Sequence, residues 1–524
     1  MKAKLLIPLL LSLLCACSQT EPVQDSWWQM RGLVLSTKEL AEVDWPELAK
    51  LSGINTIGTH ITPSEVAAFL ASPEGKAFRR KCRKYGITVE HQLHAMGELL
   101  PRELFAEDST MFRMDSCGRR TADFNCCVHS EKALEIIASN AAKFAKLLRP
   151  GNHRYYFWLD DNAPVCCCPF CAELSPSEQA LIVENRMLRE IRKQDPKAKL
   201  AHLAYSFFMP APRKVAPDEG IFLEFAPIYR SWDVPLTQED ALCPRGYPVS
   251  NGDNLRWLEE NLEVFPAEDA VVLEYWVDAS LFSRWKRPAV ELPWHPDVCA
   301  SDLATYAGYG LRNVTSFAVF MDAGYFERFP STAPIEEYGQ MLESFRHFPH
   351  LNDPWYGWED ATKVSICRSA DALNFRFDVK DSTLTVCRGE GERTVDDSDR
   401  AELFISCDPE MKRYYGFEMD PAGKVMDYRN SFYRQFDYGW DSGIRPVSPS
   451  FLKATAWKYP SLTVFWNLSA SSRKGPFTSV STVRMQRAPV TYTGSLWWTR
   501  ILRSRIFTYR LRCSTIFNYL CAAI

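Results

Sequence analysis

Eight short β-rich runs, separated by helical stretches, constrain the fold of this chain more than any other feature of its sequence. The runs span residues 30–37, 54–61, 87–94, 155–161, 200–207, 221–226, 270–278 and 314–322. Strands that alternate with helices form parallel βα units, and eight such units suit a closed barrel. We therefore predict an α/β fold in which residues 27–348 form a (β/α)8 TIM barrel.

The stretches between the runs carry the signals of helices. Apolar residues recur at three-and-four spacing in residues 131–148, 177–193 and 255–265. Pro63 and Pro176 stand where helices can begin. An open doubly wound sheet is the alternative, but no glycine-rich phosphate loop follows the first run. The pattern therefore favours the closed barrel.

The N-terminus has the pattern of a secretion signal. Lys2 and Lys4 precede an apolar run, residues 5–14, that is too short to cross a bilayer. The run leads into Leu-Cys-Ala-Cys, the spacing of a bacterial lipobox that ends at Cys17. Residues 1–17 are thus a predicted lipoprotein signal peptide, with an ordinary signal and a chance cysteine as the alternative. We expect a bacterial cell-envelope protein, facing the periplasm or the cell surface at the outer membrane, that contacts the membrane only through the lipid on Cys17.

The distribution of charge limits the partners of the chain. The sequence has 61 Lys and Arg against 65 Asp and Glu, and none of the acidic residues lies after Asp441. Twelve basic residues do, so the part up to Asp441 carries a net charge of −16. Such an acidic body argues against binding to nucleic acid or to an anionic surface by charge alone. Neutral or cationic ligands fit better.

Carboxylates are concentrated where the runs end, which is the face of a (β/α)8 barrel that carries the active site. Glycoside hydrolysis needs two carboxyl groups, and crowding in a partly dry site keeps one of them protonated. We predict Asp161 and Glu274 as this catalytic pair. Aromatic rings nearby suit the apolar faces of sugars, and the predicted substrate-binding residues are Glu90, His91, His94, Asp160, Tyr205, Glu224, Arg230, Trp276, Asp278 and Asp322.

Several of these residues also have structural interpretations. Glu224 could pair with Arg230 instead of contacting a ligand. Asp160 and Asp161 are adjacent, so only one of them can face the mouth of the barrel. The two histidines of the third run could bind substrate hydroxyls or satisfy hydrogen bonds in the core. No spacing of His, Asp and Glu requires a metal, and we expect no cofactor.

Two groups of cysteines follow the third and fourth runs and project from the same rim. They are Cys126 and Cys127 in the first group and Cys166, Cys167, Cys168 and Cys171 in the second. Disulfides that pin the two loops are the expected arrangement in an exported protein. The alternative is a zinc site in which Cys166, Cys168 and Cys171 are joined by Cys126 or Cys127. In both cases the cluster would brace loops beside Asp161 and not perform chemistry.

The region around the fourth run resembles a known family. Residues 158–171 read W-L-D-D-N-A-P-V-C-C-C-P-F-C, with Asn125, Cys126 and Cys127 upstream. This pattern is similar to the exported barrel family catalogued as domain of unknown function 4838, found in glycan-degrading Bacteroidota. The resemblance covers residues 27–345 and implies a barrel distantly related to glycoside hydrolases such as hexosaminidases and α-glucuronidases. In family 20 hexosaminidases the fourth strand ends in Asp-Glu, whereas this chain has two aspartates.

A second domain follows the barrel, as the length of 524 residues leads us to expect. After a Pro-rich and aromatic linker, residues 349–358, short alternating runs predict a β-sandwich over residues 359–455. Residues 397–406 and 414–425 resemble family 9 carbohydrate-binding modules. We predict Tyr414, Tyr428 and Trp440 as sugar platforms, with packing in the core of a ligand-free sandwich as the alternative.

The last part of the chain does not continue this resemblance. The final acidic and Pro-Phe-containing strands of such modules are missing, and the 83 residues after Asp441 contain no acidic residue. Residues 456–524 are therefore predicted to be an atypical tail, for which a frameshift or a mispredicted end is the preferred explanation, so that the sandwich is incomplete. A basic partner-binding tail is the alternative, although its arginines are scattered and not clustered.

These observations predict a carbohydrate-active envelope lipoprotein. The leading hypothesis is a glycoside hydrolase that binds an oligosaccharide or polysaccharide and uses one carboxylic acid and one carboxylate. The alternative is a noncatalytic surface glycan-binding protein whose barrel is a binding platform. A cysteine-coordinated metalloenzyme is a third hypothesis.

Overall fold

The computed structural model describes residues 26–353 and, beyond them, residues 358–370, 372–380, 385–405, 412–431, 435–442, 445–452, 461–469 and 506–509. The predicted leader and its lipidation site, Cys17, lie outside the described residues. So does most of the predicted tail.

Eight parallel strands close into a barrel in which the first strand pairs with both the second and the last. This confirms the predicted (β/α)8 fold. The strands are β1 (Met30–Ser36), β2 (Thr56–His60), β3 (Thr88–His94), β4 (Arg154–Trp158), β5 (Lys199–Ala204), β6 (Ile221–Phe225), β7 (Val271–Glu274) and β8 (Asn313–Phe317).

Helices surround the barrel, and several begin at the predicted caps. Ser175 and Glu178, for example, form a capping box, with Pro176 as the first helical residue. The helices are α1 (Thr37–Glu42), α2 (Trp45–Leu51), α3 (Pro63–Ala71), α4 (Pro73–Tyr85), α5 (Met96–Leu99), α6 (Glu131–Leu147), α7 (Pro176–Ile191), α8 (Asn251–Leu262), α9 (Ala279–Phe282), α10 (Pro296–Gly308), α11 (Ala323–Arg328) and α12 (Ala333–Ser344).

Side chains alternate between the inside of the barrel and the layer beneath the helices, and this alternation decides which residues reach the mouth. Near the end of β7, Leu273 and Tyr275 belong to the cluster that fills the barrel. Val272 and Trp276 instead pack in the large core between strands and helices. A residue at a strand end therefore faces the mouth only if it has the correct parity.

Two sheets follow the barrel and form the predicted sandwich. Their strands pair antiparallel, except that the last strand of the second sheet runs parallel to its neighbour. One has the order β16-β17-β11-β10-β9 and the other β15-β14-β13-β12-β18. Their strands are β9 (Arg346–Asp353), β10 (Trp358–Arg368), β11 (Ala372–Lys380), β12 (Arg400–Ile405), β13 (Arg413–Met419), β14 (Val425–Ser431), β15 (Gln435–Asp437), β16 (Arg445–Leu452), β17 (Ser461–Ser469) and β18 (Ile506–Tyr509).

The first sheet extends beyond the predicted end of the sandwich. Strand β17 pairs with β11 along its whole length, from Ser461 opposite Lys380 to Ser469 opposite Ala372. The predicted boundary at residue 455 therefore does not coincide with the end of the sheet.

Helix α10 lies between the barrel and the first sheet. Ten consecutive residues of α10, from Val298 to Ala307, are buried. On the sheet side, Arg376 of β11 donates from Nη1 to the carbonyl of Ser301 at 3.0 Å and to Oγ1 of Thr305 at 2.5 Å. The helix thus has no solvent-facing side, since one face covers β7 and the other is covered by the sheet.

Among the described residues, we find no helix that is long and apolar enough to cross a membrane.

Candidate functional site

The carboxyl ends of the barrel strands surround a cavity of about 410 Å³. Its walls are mainly aromatic and aliphatic, and only two carboxylates line it, Asp161 and Asp278. The other lining residues come from every strand end except that of β1 and are His60, Ile61, His94, Trp158, Leu203, Tyr205, Ala226, Ile228, Leu273, Tyr275, Ser280, Trp285, Phe317, Val319 and Phe320. An apolar pocket with a few convergent polar groups is the usual form of a ligand site.

Asp278 is the buried carboxyl group of the cavity. It is the N-cap of α9, and its Oδ1 accepts hydrogen bonds from the backbone N–H of Ser280 at 3.1 Å and from its hydroxyl at 2.7 Å. Burial disfavours the charged form and raises the pKa of Asp278 to about 7. Since Oδ1 is engaged by Ser280, Oδ2 is left to carry the proton. Asp278 can therefore act as an acid at neutral pH.

Asp161 offers the opposite environment, because its side chain is 61% exposed. Nε2 of His94 lies 3.9 Å from Oδ1 of Asp161. Nδ1 of His94 donates to the carbonyl of Leu159 at 3.1 Å, which fixes the orientation of the ring beside the carboxylate. The cavity thus holds one solvated and one desolvated carboxyl group. Such a difference in environment is what gives the two members of a carboxyl pair separate acid and base roles.

His60 adds a neutral imidazole to the same wall. Its Nδ1 donates to the carbonyl of Gln92 at 2.7 Å, which places the ring proton on Nδ1 and the lone pair on Nε2. Burial, reinforced by His94, lowers the pKa of His60 to about 3. The ring is therefore uncharged at physiological pH and can accept a hydrogen bond from a ligand hydroxyl.

Aromatic side chains form the floor and the rim of the cavity. Trp158 belongs to the barrel interior, and its Nε1 donates to Oε2 of the buried Glu224 at 2.7 Å. At the rim, Trp285 lines the cavity and is 56% exposed. Tyr229 and Tyr247 stack nearby with ring centroids 4.0 Å apart. Faces of this kind suit the apolar faces of pyranose rings.

Strained backbone is concentrated in the loops at this end of the barrel. Left-handed φ values occur at Asn125 (46°), Asn162 (45°), Ser206 (51°), Trp285 (54°) and Phe320 (71°). Such conformations persist only where surrounding structure enforces them, and they cluster at binding and catalytic sites. Two of them support each other, since Oγ of Ser206 donates to Oδ1 of Asn162 at 2.6 Å.

Four predicted site residues line the cavity, namely Asp161, His94, Tyr205 and Asp278. Burial, reinforced by Asp161, raises the pKa of Tyr205 well above its usual value, so this phenol is a neutral hydrogen-bond donor. The expectation that only one of the adjacent aspartates faces the mouth agrees with the structure. Asp160 turns away and pairs with Arg102 and with the backbone N–H of Asn125.

The expectation that Glu274 faces the mouth is wrong, because its parity places it beneath α10. Oε1 of Glu274 accepts hydrogen bonds from Nη1 of Arg230 at 2.8 Å and from the hydroxyl of Tyr306 at 2.5 Å. The same Nη1 lies 2.8 Å from Oδ2 of Asp302. Arg230 and Trp276, which were predicted to bind substrate, belong to this network, since Nε1 of Trp276 donates to Asp302.

The remaining predicted substrate contacts also lie away from the cavity. His91 points outward and contacts Oγ1 of Thr59 at 2.7 Å, and burial lowers the pKa of His91 to about 4. Asp322 caps α11 and pairs with Lys38 and Arg287 at the rim.

Glu90 and Glu224 lie inside the barrel, below the floor of the cavity. Nδ2 of Asn152 donates to Oε1 of Glu90 at 2.5 Å, and Trp158 covers Glu224. Burial raises the pKa of both carboxyl groups. The alternative pairing of Glu224 with Arg230 is wrong, because Arg230 pairs with Glu274 and Asp302, and Glu224 accepts its hydrogen bond from Trp158.

The sequence interpretation did not single out His60, Trp285 or Phe320. The sequence could have indicated His60, because it ends the strand and has the same parity as Thr56 and Gly58. Trp285 and Phe320 follow the strands by many residues, in loops whose path no periodicity reveals.

The expected disulfides are absent, since none of the described cysteines is paired. Four buried thiols from two loops lie together instead, with all their Sγ atoms within 4.8 Å of one another, and they belong to Cys127, Cys166, Cys168 and Cys171. Cys126, which was named as a candidate ligand, is buried outside this group.

In the second domain, the predicted sugar platforms differ in exposure. Tyr428 is buried, and its hydroxyl donates to Glu418 at 2.8 Å. Tyr414 packs against Phe404 and receives a hydrogen bond from Asn430. Trp440 is half-buried against Tyr415, with ring centroids 4.8 Å apart. The sugar-binding role of these three side chains remains a prediction.

Comparison with known families supports the resemblance over part of the chain. Residues 64–248 match the family described as "Domain of unknown function (DUF4838)". The predicted family is therefore confirmed for these residues. None of the curated proteins matches the sequence.

Solved structures similar to this chain include a β-N-acetylhexosaminidase from Bacteroides fragilis NCTC 9343, at 10% identity and a TM-score of 0.37. That match covers 60% of this chain and 66% of the other. An α-amylase from H. orenii matches at 9% identity and a TM-score of 0.37, over 84% of this chain and 99% of the other. A carbohydrate-binding protein from Bacteroides uniformis ATCC 8492 matches at 17% identity and a TM-score of 0.19, over 24% and 60%. The chain thus spans just under two thirds of the hexosaminidase and less of the carbohydrate-binding protein.

Proposed function

We propose that this protein is a glycoside hydrolase that holds a neutral sugar in the barrel cavity and cleaves it with Asp278 and Asp161. One observation carries the proposal. A cavity with aromatic walls, at the catalytic face of a (β/α)8 barrel, contains two carboxyl groups of contrasting environment.

Asp278 is the proposed general acid. Its raised pKa keeps a proton on the carboxyl group up to about pH 7, and Oδ2 can deliver that proton to the glycosidic oxygen. Asp161 is the proposed nucleophile or base. His94 and His60 would orient the sugar, since both rings line the cavity, and Tyr205 would donate to a sugar hydroxyl.

The test is sugar release from a panel of aryl glycosides and oligosaccharides by the full chain and by Asp161→Asn. We expect release by the wild type and a loss of at least about 100-fold in the variant, because general acid–base and nucleophilic groups contribute effects of that size. Circular dichroism would confirm that the variant is folded. Equal rates in both proteins would contradict the assignment of Asp161.

Noncatalytic glycan binding is the second candidate function. One observation favours it: Glu274, the other carboxylate expected at the mouth, is bound to Arg230 and lies outside the cavity. The same panel separates the two candidates. Saturable binding of a glycan without release of sugar, by the wild type as well as the variant, would replace the hydrolase by a binding protein.

A second prediction concerns the rim and holds for both candidate functions. Replacing the half-exposed Trp285 by Ala is expected to weaken glycan binding by about 1–2 kcal/mol, which is roughly a 5- to 30-fold increase in Kd, because a large aromatic contact is lost. Isothermal titration with a bound oligosaccharide measures this. Tyr85→Ala is the matched control, since Tyr85 ends α4 far from the cavity and should leave Kd unchanged. Equal affinity of the Trp285 variant and wild type would remove this ring from the binding surface.

A further inference from the structure

Four thiols meet where two loops of the barrel rim approach each other. Cys127 lies in the loop after β3, and the other three cysteines lie in the loop after β4, at positions 166, 168 and 171. Sγ of Cys127 lies 3.8 Å from that of Cys168 and 3.9 Å from that of Cys171. All four side chains are buried.

These distances fit a tetrahedral metal site better than disulfides. Zinc binds thiolates at about 2.3 Å, which places the sulfur atoms of a tetrahedral site about 3.8 Å from one another. A disulfide needs about 2.05 Å between its sulfurs. The Sγ separations of Cys127 match the edge of the tetrahedron, and four sulfurs within 4.8 Å supply a complete set of ligands.

The surroundings hold the thiols in place and supply hydrogen-bond donors to them. Sγ of Cys166 accepts a hydrogen bond from the backbone N–H of Met114 at 3.3 Å, and Nη1 of Arg120 lies 3.8 Å from it. Nδ1 of His129 lies 3.3 Å from Sγ of Cys171. Donors of this kind are the usual outer contacts of metal thiolates, where they orient the ligands and offset their charge.

The backbone that carries three of the thiols is fixed by a single side chain of α7. Gln179 accepts from the backbone N–H of Cys166 at 3.2 Å and donates to the carbonyls of Cys166 and Cys171 at 3.0 and 3.2 Å. The backbone N–H of Cys167 also donates to the carbonyl of Met114 at 2.8 Å. The loop is therefore preorganised around the cluster.

We propose that Cys127, Cys166, Cys168 and Cys171 bind one structural zinc ion that ties the loop after β3 to the loop after β4. The site is closed, because all four ligand positions of a tetrahedral ion are taken by protein sulfur. The two loops also carry Asn125 and Asp160, which bond to each other beside Asp161. The ion would thus fix one wall of the cavity without entering it.

The experiment measures metal in the full chain, purified without chelator, by inductively coupled plasma mass spectrometry. We expect about one zinc per chain in the wild type and in Cys167→Ser, whose exposed thiol is adjacent to the cluster but outside it. Cys168→Ser should retain less than about a tenth of that zinc. Exchange of the wild-type metal for cobalt should give the intense absorption of tetrahedral Co²⁺ bound to thiolates.

Two outcomes would overturn the proposal. The first is wild-type protein without zinc that takes up neither zinc nor cobalt after reduction. The second is peptide mapping of the unreduced wild type that shows the four cysteines of the cluster joined to one another in two disulfides in place of the metal site. Because both measurements use the wild type, they decide the question even where Cys168→Ser fails to fold.

Discussion

Asp278→Asn is expected to lower kcat for glycoside cleavage by about two to four orders of magnitude, the usual contribution of a general acid. The substitution removes the proton donor but keeps the cap of α9, because Asn is as good an N-cap as Asp and can still accept hydrogen bonds from Ser280. Loss of activity would therefore report the missing proton and not a disrupted fold.

The pH dependence gives a second measurement on the same residue. The folded-state pKa of Asp278 is raised to about 7, so its acid form predominates below pH 7 and declines tenfold for each pH unit above it. We expect kcat/KM of the wild type to fall on the alkaline side of about pH 7, and this limb to vanish in Asp278→Asn. Asp269→Asn, which alters an aspartate paired with Lys199 at the opposite end of the barrel, is the control. An alkaline limb that survives in Asp278→Asn would assign the acid to another group.

Arg230→Met is expected to lower the free energy of unfolding by about 3–5 kcal/mol, the cost of leaving buried charge without its partner. A single nitrogen of Arg230, Nη1, lies 2.8 Å from both Glu274 and Asp302, and all three side chains are fully buried. Without the guanidinium group, two carboxylates would face each other in the core. Chemical denaturation of the variant and the wild type measures the difference.

The loss should also depend on pH. To avoid two adjacent charges, the folded variant must hold a proton that the unfolded chain releases above about pH 4. The stability of the variant relative to wild type should therefore fall as the pH rises from about 5 to 8. Arg287→Met is the control, because Arg287 pairs with Asp322 and Glu39 but is 41% exposed, and we expect a loss below about 1 kcal/mol. A pH-independent loss of similar size in both variants would mean that packing, and not charge, matters at Arg230.

The barrel could be predicted because its information is local and repeated. Each strand is a short β-rich run, each helix shows its own periodicity and caps, and eight repeats leave few alternatives to closure. Asp161 could be predicted because it lies only three residues beyond the end of β4. Strand parity could not decide between it and Asp160, because both lie past Trp158, the last residue of the strand; parity continued from the inward-facing Trp158 would have favoured Asp160.

The direction of the Glu274 side chain could not be predicted from the sequence, because it depends on where β7 ends and on which residues lie beneath α10. The predicted run continued to residue 278, whereas the strand ends at Glu274 and its parity directs this side chain away from the mouth. The partner Asp302 lies 28 residues further along the chain, and no local pattern joins the two. Asp278, by contrast, reaches the cavity from beyond the strand, as the cap of a short helix.

The cysteine cluster shows a similar limit. The spacing of Cys166, Cys168 and Cys171 is local and pointed to three ligands, but the fourth thiol comes from a distant loop. Cys126 and Cys127 are adjacent, and the choice between them depends on the direction of two neighbouring side chains in irregular backbone. Only the folded loop places Cys127 among the other three.

Helix α10 has a consequence for how the two domains can evolve. A barrel helix with a polar outer face tolerates the loss or replacement of the domain beside it, because that face is already suited to water. Every residue of α10 from Val298 to Ala307 is buried, and Arg376 of the sandwich bonds to its backbone. A recombination event that removed or replaced the sandwich would leave an apolar helix uncovered and an arginine contact unmade. Barrel and sandwich are therefore expected to be inherited together, as one unit of selection and not as interchangeable modules.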